Sequence, residues 1–489
     1  MNRLVISIKR PEVDSFYSFS TVSLSEEYCH GLACFVARDL NPSVYDMAVR
    51  QTPPTYCLGK CYLAPSWSGI DAPPIMESRS RTAVLIDWIK NGPIKSLDEY
   101  KARGGMKGLE VVLTTMRPED VISEVEKSGL RGRGGAGFPT GLKWRSAYQQ
   151  RVDVKYLVVN GDEGDPGAYI DRYLMSYAPY LVLEGALIAA YAIGAGKVYV
   201  YIRREYPDSV SAMARAVEEL RSAGYLGNRV LGKDVSIDVE VVVGKGSYVA
   251  GEETALINAI MGNRAEPMPR PPYPTERGLF GKPTVVNNVE TLANISWIMI
   301  HGGKAYYDLG FSKSRGTKLI SLNSLFKRPG IYEIEFGITL REIVFDIGGG
   351  LRDGRKLRGL VVGSFSVVRP EELDVKFGYE ELRSAGVFIG HGSIVAFDDH
   401  TTPLELLHHM AEFGAYESCG KCFPCRYGNA KILDIAKEAL GRGFLTKSEA
   451  EEVKSVAEVM RSTSLCGFGT GMGDTYLHIL SKYPEVVGS

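Results

Sequence analysis

The spacing of apolar positions changes several times along this chain, and each change marks a different kind of element. Residues 118–130, PEDVISEVEKSGL, carry apolar residues with helical period and run into a glycine-rich loop from Gly132 to Phe138. Beyond it, short strand-like runs (KYLVVN, KVYVYIR, VSIDVEVVV) alternate with helical stretches around 181–193 and 212–223. Alternation of this kind predicts a parallel sheet with crossover helices. The longest apolar stretch, LVLEGALIAAYAIGAG at 181–196, is short for a bilayer span and contains Glu184, so it predicts a buried helix of the α/β layer. Near Thr317 the texture becomes period-2 strands, a helix-like ITLREIVFDI and Gly-rich turns, as in a small mixed β-grasp domain. From Pro403 onward the pattern is helical. Ahead of all this, strand-like SFYSFSTVSL precedes a Pro-rich exit at Asp71–Pro74. The expectation is a multidomain α/β chain divided at 1–80, 81–310, 311–400 and 401–489.

Composition narrows the classes. A chain of 489 residues is too long for one core, and 45% hydrophobic with 24% charged content is that of a soluble globular protein. A formal net charge of −1 gives no electrostatic argument for nucleic acid or a membrane surface. No internal repeat or low-complexity tract is evident.

All eight cysteines fall into two groups. Cys29-x4-Cys34 and Cys57-x3-Cys61 lie near the N-terminus, whereas Cys419-x2-Cys422-x2-Cys425, in ESCGKCFPC, is followed much later by Cys466 in STSLCGFG. Four thiolates are what a [2Fe–2S] or [4Fe–4S] cluster takes. Disulfides would need an oxidising compartment, and MNRLVISIKRPEVDS lacks the continuous apolar core of a secretory signal, so a cytoplasmic location is expected. Structural zinc is the competing assignment, and the N-terminal set suits it better than the C-terminal one does. Three closely spaced thiolates and a distant fourth suit three corners of a cubane and its closing ligand.

Gly132-x-Gly134-x-x-Gly137 reads as GxGxxG but follows a helix, which removes it as a dinucleotide fingerprint. Phe138, Lys143 and Trp144 give it another meaning: two aromatics and a cation beside a backbone that glycine lets a flat ligand approach. The run KYLVV ends in Asn160-Gly161-Asp162-Glu163-Gly164-Asp165-Pro166, at a strand's carboxyl end, where ligands bind in open parallel sheets. Alone, such a turn is equally a solvated acidic loop. The run VSIDVEVVV leads to Gly244–Tyr248, and Gly251-Glu252-Glu253-Thr254 opens a helix whose first-turn acids also suit the helix dipole. Asn287-Asn288-Val289-Glu290-Thr291 offers two amides and a hydroxyl to sugar and phosphate oxygens, or simply caps a helix.

In combination, GRGGAGFPTGLKW, NGDEGDPG, GSYVAGEETAL, GKPTVVNNVETL and ESCGKCFPCR closely resemble the flavin-bearing NADH-oxidising subunit of respiratory complex I. The same family includes the diaphorase subunits of NAD-linked formate dehydrogenases and of NAD-reducing or bifurcating hydrogenases. The resemblance covers roughly residues 105–489, and CHGLACFVA…YCLGKCYLAPSW resembles the cluster-binding end of the family's thioredoxin-like [2Fe–2S] partner, here fused. It implies a Rossmann-like domain for FMN and NAD(H), a β-grasp domain without known chemistry, and a helical bundle holding [4Fe–4S]. Gly132, Arg133, Gly134, Gly135, Ala136, Gly137 and Phe138 would cradle FMN and the dinucleotide. Lys143, Asn160, Asp162, Gly251 and Glu252 would contact the flavin; Asn287 and Asn288, with Thr291 beside them, its ribityl-phosphate. Glu163 and Glu253 would face the nicotinamide nucleotide and Phe138 and Tyr273 its adenine, with Asp165 and Tyr248 also at the site. Cys419, Cys422, Cys425 and Cys466 would ligate [4Fe–4S], and Cys29, Cys34, Cys57 and Cys61 [2Fe–2S].

This chain departs from the family at three points. It has Lys143-Trp144-Arg145-Ser146 where members commonly read K-W-S-F, which bears on one aromatic wall of the adenine slot. It has Asp165 where Glu is common, and the short interval from Cys34 to Cys57 leaves room only for a trimmed thioredoxin-like domain. The implied activity is exchange of hydride between NAD(H) and FMN, with single electrons passed to or from partner iron–sulfur subunits of a larger complex. The rival expectation is a zinc-stapled scaffold that binds partners or a small ligand through its β-grasp domain.

Overall fold

The computed structural model describes residues 5, 6, 13, 16, 17, 26–363 and 365–488. The strand-like run SFYSFSTVSL therefore lies outside the described residues except for Phe16 and Tyr17. Two early strands, β1 (Val5–Ile6) and β2 (Ile75–Ser78), each join a sheet built later in the chain.

The first sheet is parallel. β3 (Tyr156–Gly161), β4 (Lys197–Ile202), β5 (Asp238–Val243) and β6 (Thr284–Asn288) lie in the order β1-β5-β4-β3-β6. The chain steps outward from β3 to β5 and then returns to place β6 on the other side of β3, which makes the β3/β6 boundary a topological switch point. Register puts Asn160 at the end of β3 opposite Asn288 at the end of β6. The expected alternation is realised, with helices Pro179–Ile193 and Pro207–Ser222 as crossovers. The first of these is the long apolar stretch, buried almost throughout. Its Glu184 accepts hydrogen bonds from the Met106 and Leu109 amides at 3.0 and 3.1 Å and from the Tyr100 hydroxyl, which accounts for a carboxylate in an apolar helix. Among the described residues no single helix is long and apolar enough to cross a membrane.

After a short hairpin, β7 (Gly310–Phe311) and β8 (Ser314–Arg315), comes a second, mixed sheet. It holds β9 (Thr317–Leu322), β10 (Gly330–Glu335), β11 (Leu357–Val362), β12 (Ser366–Val368) and β13 (Ser393–Asp398) in the order β12-β11-β13-β9-β10-β2. Four helices follow: Pro403–Glu417, Phe423–Arg442, Lys447–Thr463 and Gly467–Lys482.

The N-terminal segment departs from expectation. Within 1–80 the described residues contain no sheet of their own: β1 extends the parallel sheet beside β5, and β2 extends the mixed sheet beside β10. A separate thioredoxin-like layer is therefore corrected to a coil with short helices, Leu32–Val36 and Pro42–Arg50. Its backbone is anchored from both sides, by Arg172 and Arg203 donating to the Gly59 and Tyr56 carbonyls and by Ser324 donating to the Ala64 carbonyl. With so short an interval between its cysteine pairs, the segment relies on its neighbours for burial.

The two sheets are joined by a fully buried ion pair between Lys318 of β9 and Glu290 of helix Val289–His301. Lys318 also donates to the His391 carbonyl at 2.9 Å, and Glu290 accepts the Leu319 amide at 2.9 Å. Removing one partner leaves an uncompensated buried charge, so Lys318→Met should cost about 3–5 kcal/mol in chemical denaturation. Lys318→Met with Glu290→Leu should recover much of that loss, and a single mutant as stable as wild type would contradict this role.

Candidate functional site

The carboxyl ends of β3 and β6 open into a cleft of about 810 Å³. One wall is the glycine loop, from which Gly132, Gly134, Gly135, Ala136, Gly137 and Phe138 line the space. Gly135 has φ +118° and packs against the Gly390 backbone, where a Cβ would meet it at 3.3 Å. Another wall comes from the strand-end turns, with Asn160, Asp162, Gly164 and Asp165 after β3 and Tyr248, Gly251, Glu252 and Glu253 after β5. Asn160 clasps the two turns by donating to the Gly251 carbonyl at 2.8 Å. Asn287 and Asn288 close the floor; Asn288 caps helix Val289–His301 by accepting the Thr291 amide, and Asn287 accepts the Trp144 indole N–H at 2.7 Å.

Charge in the cleft is paired. Lys143 lies 2.9 Å from Glu253, and Arg270 bridges Glu253 at 2.8 Å and Glu252 at 3.2 Å. Burial works against the Glu253 charge, but Lys143 and then Arg270 outweigh it and hold the carboxyl below its ordinary value. Asp162 is the opposite case: burial, with only Arg203 opposing it and Glu205 and Glu417 adding to it, pushes its carboxyl up to about 8. Its Oδ2 is buried and has no hydrogen-bond partner among the described residues. Phe138 and Tyr273, which line the cleft, leave 52% and 54% of their surface exposed.

Three expected residues do not face this cleft. Glu163 is fully buried, and its carboxylate accepts the amides of Ile170, Asp171 and Arg172 at the start of helix Ile170–Tyr177, with the Tyr206 hydroxyl at 3.2 Å. Its expected place at the nicotinamide is corrected: a helix N-terminus captures it. The Arg133 side chain turns away from the loop to the Tyr306 hydroxyl and the Arg315 carbonyl, at 3.0 and 2.7 Å. Thr291 is buried and accepts the Arg133 amide at 2.8 Å.

Other lining residues were not anticipated. Arg270 sits in the proline run before Tyr273, a run that could have been read as part of the same wall. Gly363, Phe365, Phe388, Gly390 and His391 reach in from the mixed sheet, which was expected to carry no chemistry. Ser146, in the position of the missing aromatic, lines the cleft and bonds Thr275 at 3.0 Å.

Cys466, at the start of the last helix, lines the cleft itself. Between it and the strand-end turns lie the rings of Tyr248 and Phe468, 5.0 Å apart, with Phe413 against both. The Cys425 thiol meets Ser418 and Asn429, both at 3.4 Å, and burial pushes Cys425 and Cys466 up to about 12 and about 11. The N-terminal thiols are all buried; the Cys57 and Cys61 sulfurs are 3.3 Å apart. The hydrogen bond with Cys29 and, less strongly, burial push Cys57 up to about 12. What suits a metal here is the grouping of the sulfurs, since the thiols would have to give up their protons on binding it. Cys57 also lies 4.0 Å from the Ala168 carbonyl, a few residues beyond Asp165 of the cleft wall.

The chain matches two family descriptions: "Nuo51 FMN-binding domain" over residues 125–297 and "NADH-ubiquinone oxidoreductase-F iron-sulfur binding region" over residues 405–489. It is 40% identical to the HndC subunit of the NADP-reducing hydrogenase of Solidesulfovibrio fructosivorans over 80% of this chain and 79% of that one. It is 39% identical to the F subunit of the NADH-quinone oxidoreductase of Aquifex aeolicus over 84% of this chain and 95% of that one. Among solved structures, an NAD+-reducing [NiFe]-hydrogenase in the H2-reduced state superposes with a TM-score of 0.79 at 27% identity, covering 96% of this chain and 85% of that one. The chain therefore belongs to the family of flavin-bearing, NADH-oxidising subunits that includes the F subunits of NADH-quinone oxidoreductases.

Proposed function

We propose that this chain exchanges hydride between NAD(H) and FMN held in the cleft and passes single electrons through iron–sulfur clusters to or from partner subunits of a larger complex. The observation that carries this reading is a single cleft bounded by the glycine loop, both strand-end turns and the cluster-type ligand Cys466. The residues fit the groups concerned: Asp162 offers a buried unpartnered oxygen, the glycine loop leaves backbone room, and each cysteine quartet supplies four sulfurs. Bound FMN supplies the exchange between hydride and single electrons.

The chain's own residues bind and orient. Lys143, Asn160, Asp162, Gly251 and Glu252 would hold the flavin, and Asn287 and Asn288 its ribityl-phosphate. Glu253 would face the nicotinamide nucleotide, with Phe138 and Tyr273 against the adenine. A protonated Asp162 can donate as well as accept a hydrogen bond, which suits the polar edge of a flavin. The rings of Tyr248 and Phe468 pack together on the cleft wall that also carries Cys466. Cys419, Cys422, Cys425 and Cys466 would hold [4Fe–4S]; Cys29, Cys34, Cys57 and Cys61 would hold [2Fe–2S] against the far side of the β3 turn.

In this reading the parallel sheet is a Rossmann-like FMN and NAD(H) domain and the mixed sheet a β-grasp domain. The last helices form the [4Fe–4S] bundle, and the N-terminal coil carries the second cysteine quartet. Eight free cysteines suit a reducing compartment, the cytoplasm.

Cys466→Ser should lose or degrade [4Fe–4S] while retaining FMN and most NADH–ferricyanide activity, but lose delivery to the partner complex. Loss of flavin together with the cluster would contradict this arrangement. Asp162 gives a second test. Folded, it keeps its proton to about 8, whereas its ordinary value is 3.8. Between these values the folded state binds more protons, so this group makes stability fall as pH rises. The melting temperature of Asp162→Asn relative to wild type should therefore climb from about pH 4 to about pH 8 and level off above that. A flat or falling difference would mean that Asp162 is ionised in the folded protein.

A further inference from the structure

The glycine loop is shaped from outside the cleft. Its ends are closed by the Gly132 amide donating to the Phe138 carbonyl at 2.9 Å. The Gly132 carbonyl accepts from the Tyr379 hydroxyl at 3.0 Å, and the Gly137 carbonyl accepts from Arg131 Nε at 2.6 Å. Arg131 in turn stacks over the Tyr379 ring at 4.2 Å and pairs with Glu380 at 2.5 Å. Tyr379 and Glu380 open helix Tyr379–Ser384, which belongs to the mixed-sheet unit. Both carbonyls of the loop's ends are thus held on the side away from the ligand.

Three further contacts fix Tyr379. Its amide donates to Ser314 Oγ at 2.8 Å, its ring lies 5.4 Å from Phe336, and its hydroxyl accepts from Arg133 Nη1 at 3.4 Å. Gly137 has φ +63°, and a Cβ there would stand 2.7 Å from the Tyr379 ring, so loop and ring are packed without slack. A trans peptide points its C=O and N–H in opposite directions. Holding the Gly132 carbonyl on Tyr379 sends the Arg133 amide the other way, where it meets Thr291 Oγ1 at 2.8 Å. Holding the Gly137 carbonyl on Arg131 likewise turns the Phe138 amide from Arg131.

We propose that Tyr379, braced by Glu380 through Arg131, is a positioning residue for the flavin: the mixed-sheet unit holds the glycine loop in its ligand-ready shape. This rests on the reading of the cleft as an FMN site. It gives a function to a unit whose strands carry no chemistry of their own, and it explains why the Arg131 and Arg133 side chains are directed away from the cleft.

The test uses the full-length holoprotein with Tyr379→Phe and, separately, Glu380→Gln, a partly exposed position. Apoprotein reconstitution should show FMN binding weakened about tenfold in Tyr379→Phe, as expected when the Gly132 carbonyl loses its buried hydrogen bond and the weaker contact with Arg133 goes with it, and weakened less in Glu380→Gln. The visible circular dichroism of the bound flavin should change, while iron content and melting temperature stay at wild-type values. Wild-type FMN affinity and an unaltered flavin spectrum in both variants would overturn the proposal. So would a loss of flavin matched by equal losses of iron and melting temperature, the mark of general destabilisation. Wild-type protein that binds no FMN would instead overturn the reading of the cleft.

Discussion

A carboxylate withdrawn from water has to be met by N–H groups or a cation, and this chain uses that requirement at each junction between its units. Glu184 meets the amides of Met106 and Leu109, and Glu333 those of Val84, Leu85 and Ile86. Glu163 meets the start of helix Ile170–Tyr177, and Asp171 receives the Glu290 amide and the Asn288 side chain. Glu290 then reaches the mixed sheet through Lys318 and the Leu319 amide. These contacts place the ends of β3 and β6 beside the mixed sheet, and the cleft is the space they leave.

The path from cleft to cluster follows from the same geometry. The strand-end turns after β3 and β5 supply polar groups on one side, while Tyr248 carries the wall over to Phe468 and Cys466. Beyond the β3 turn, the Cys57 thiol of the N-terminal group lies 4.0 Å from the Ala168 carbonyl. One cysteine of each quartet thus approaches the site: Cys466 on the cleft wall, and Cys57 beside the segment that follows the β3 turn.

The elements and the site were legible to different depths. Strands β3 to β5 and the crossover helix Pro179–Ile193 stand where the apolar period placed them, because local pattern and burial agree. Most of the expected cleft residues converge, since glycines and strand-end polar groups carry their meaning in short motifs. Glu163 misled because whether a carboxylate faces a ligand or caps a helix depends on a helix that starts several residues later. Arg133 misled in the same way, its partners Tyr306 and Arg315 lying far along the chain. Phe388, His391 and Tyr379 gave no local signal at all, because the mixed sheet reaches the cleft only through tertiary packing. The trimmed N-terminal segment has too few residues to build its own layer, so its strands are added to other sheets.

The central claim is that cleft and cysteine quartets form one electron path fed by NADH. Anaerobic titration of the purified protein with NADH, followed by visible absorption and electron paramagnetic resonance, tests it most directly. The account predicts one FMN and about six irons per chain, from one [4Fe–4S] and one [2Fe–2S], with flavin bands that bleach and cluster signals that appear as NADH is added. A colourless protein with zinc in place of iron, or clusters that NADH leaves oxidised while the flavin bleaches, would contradict it.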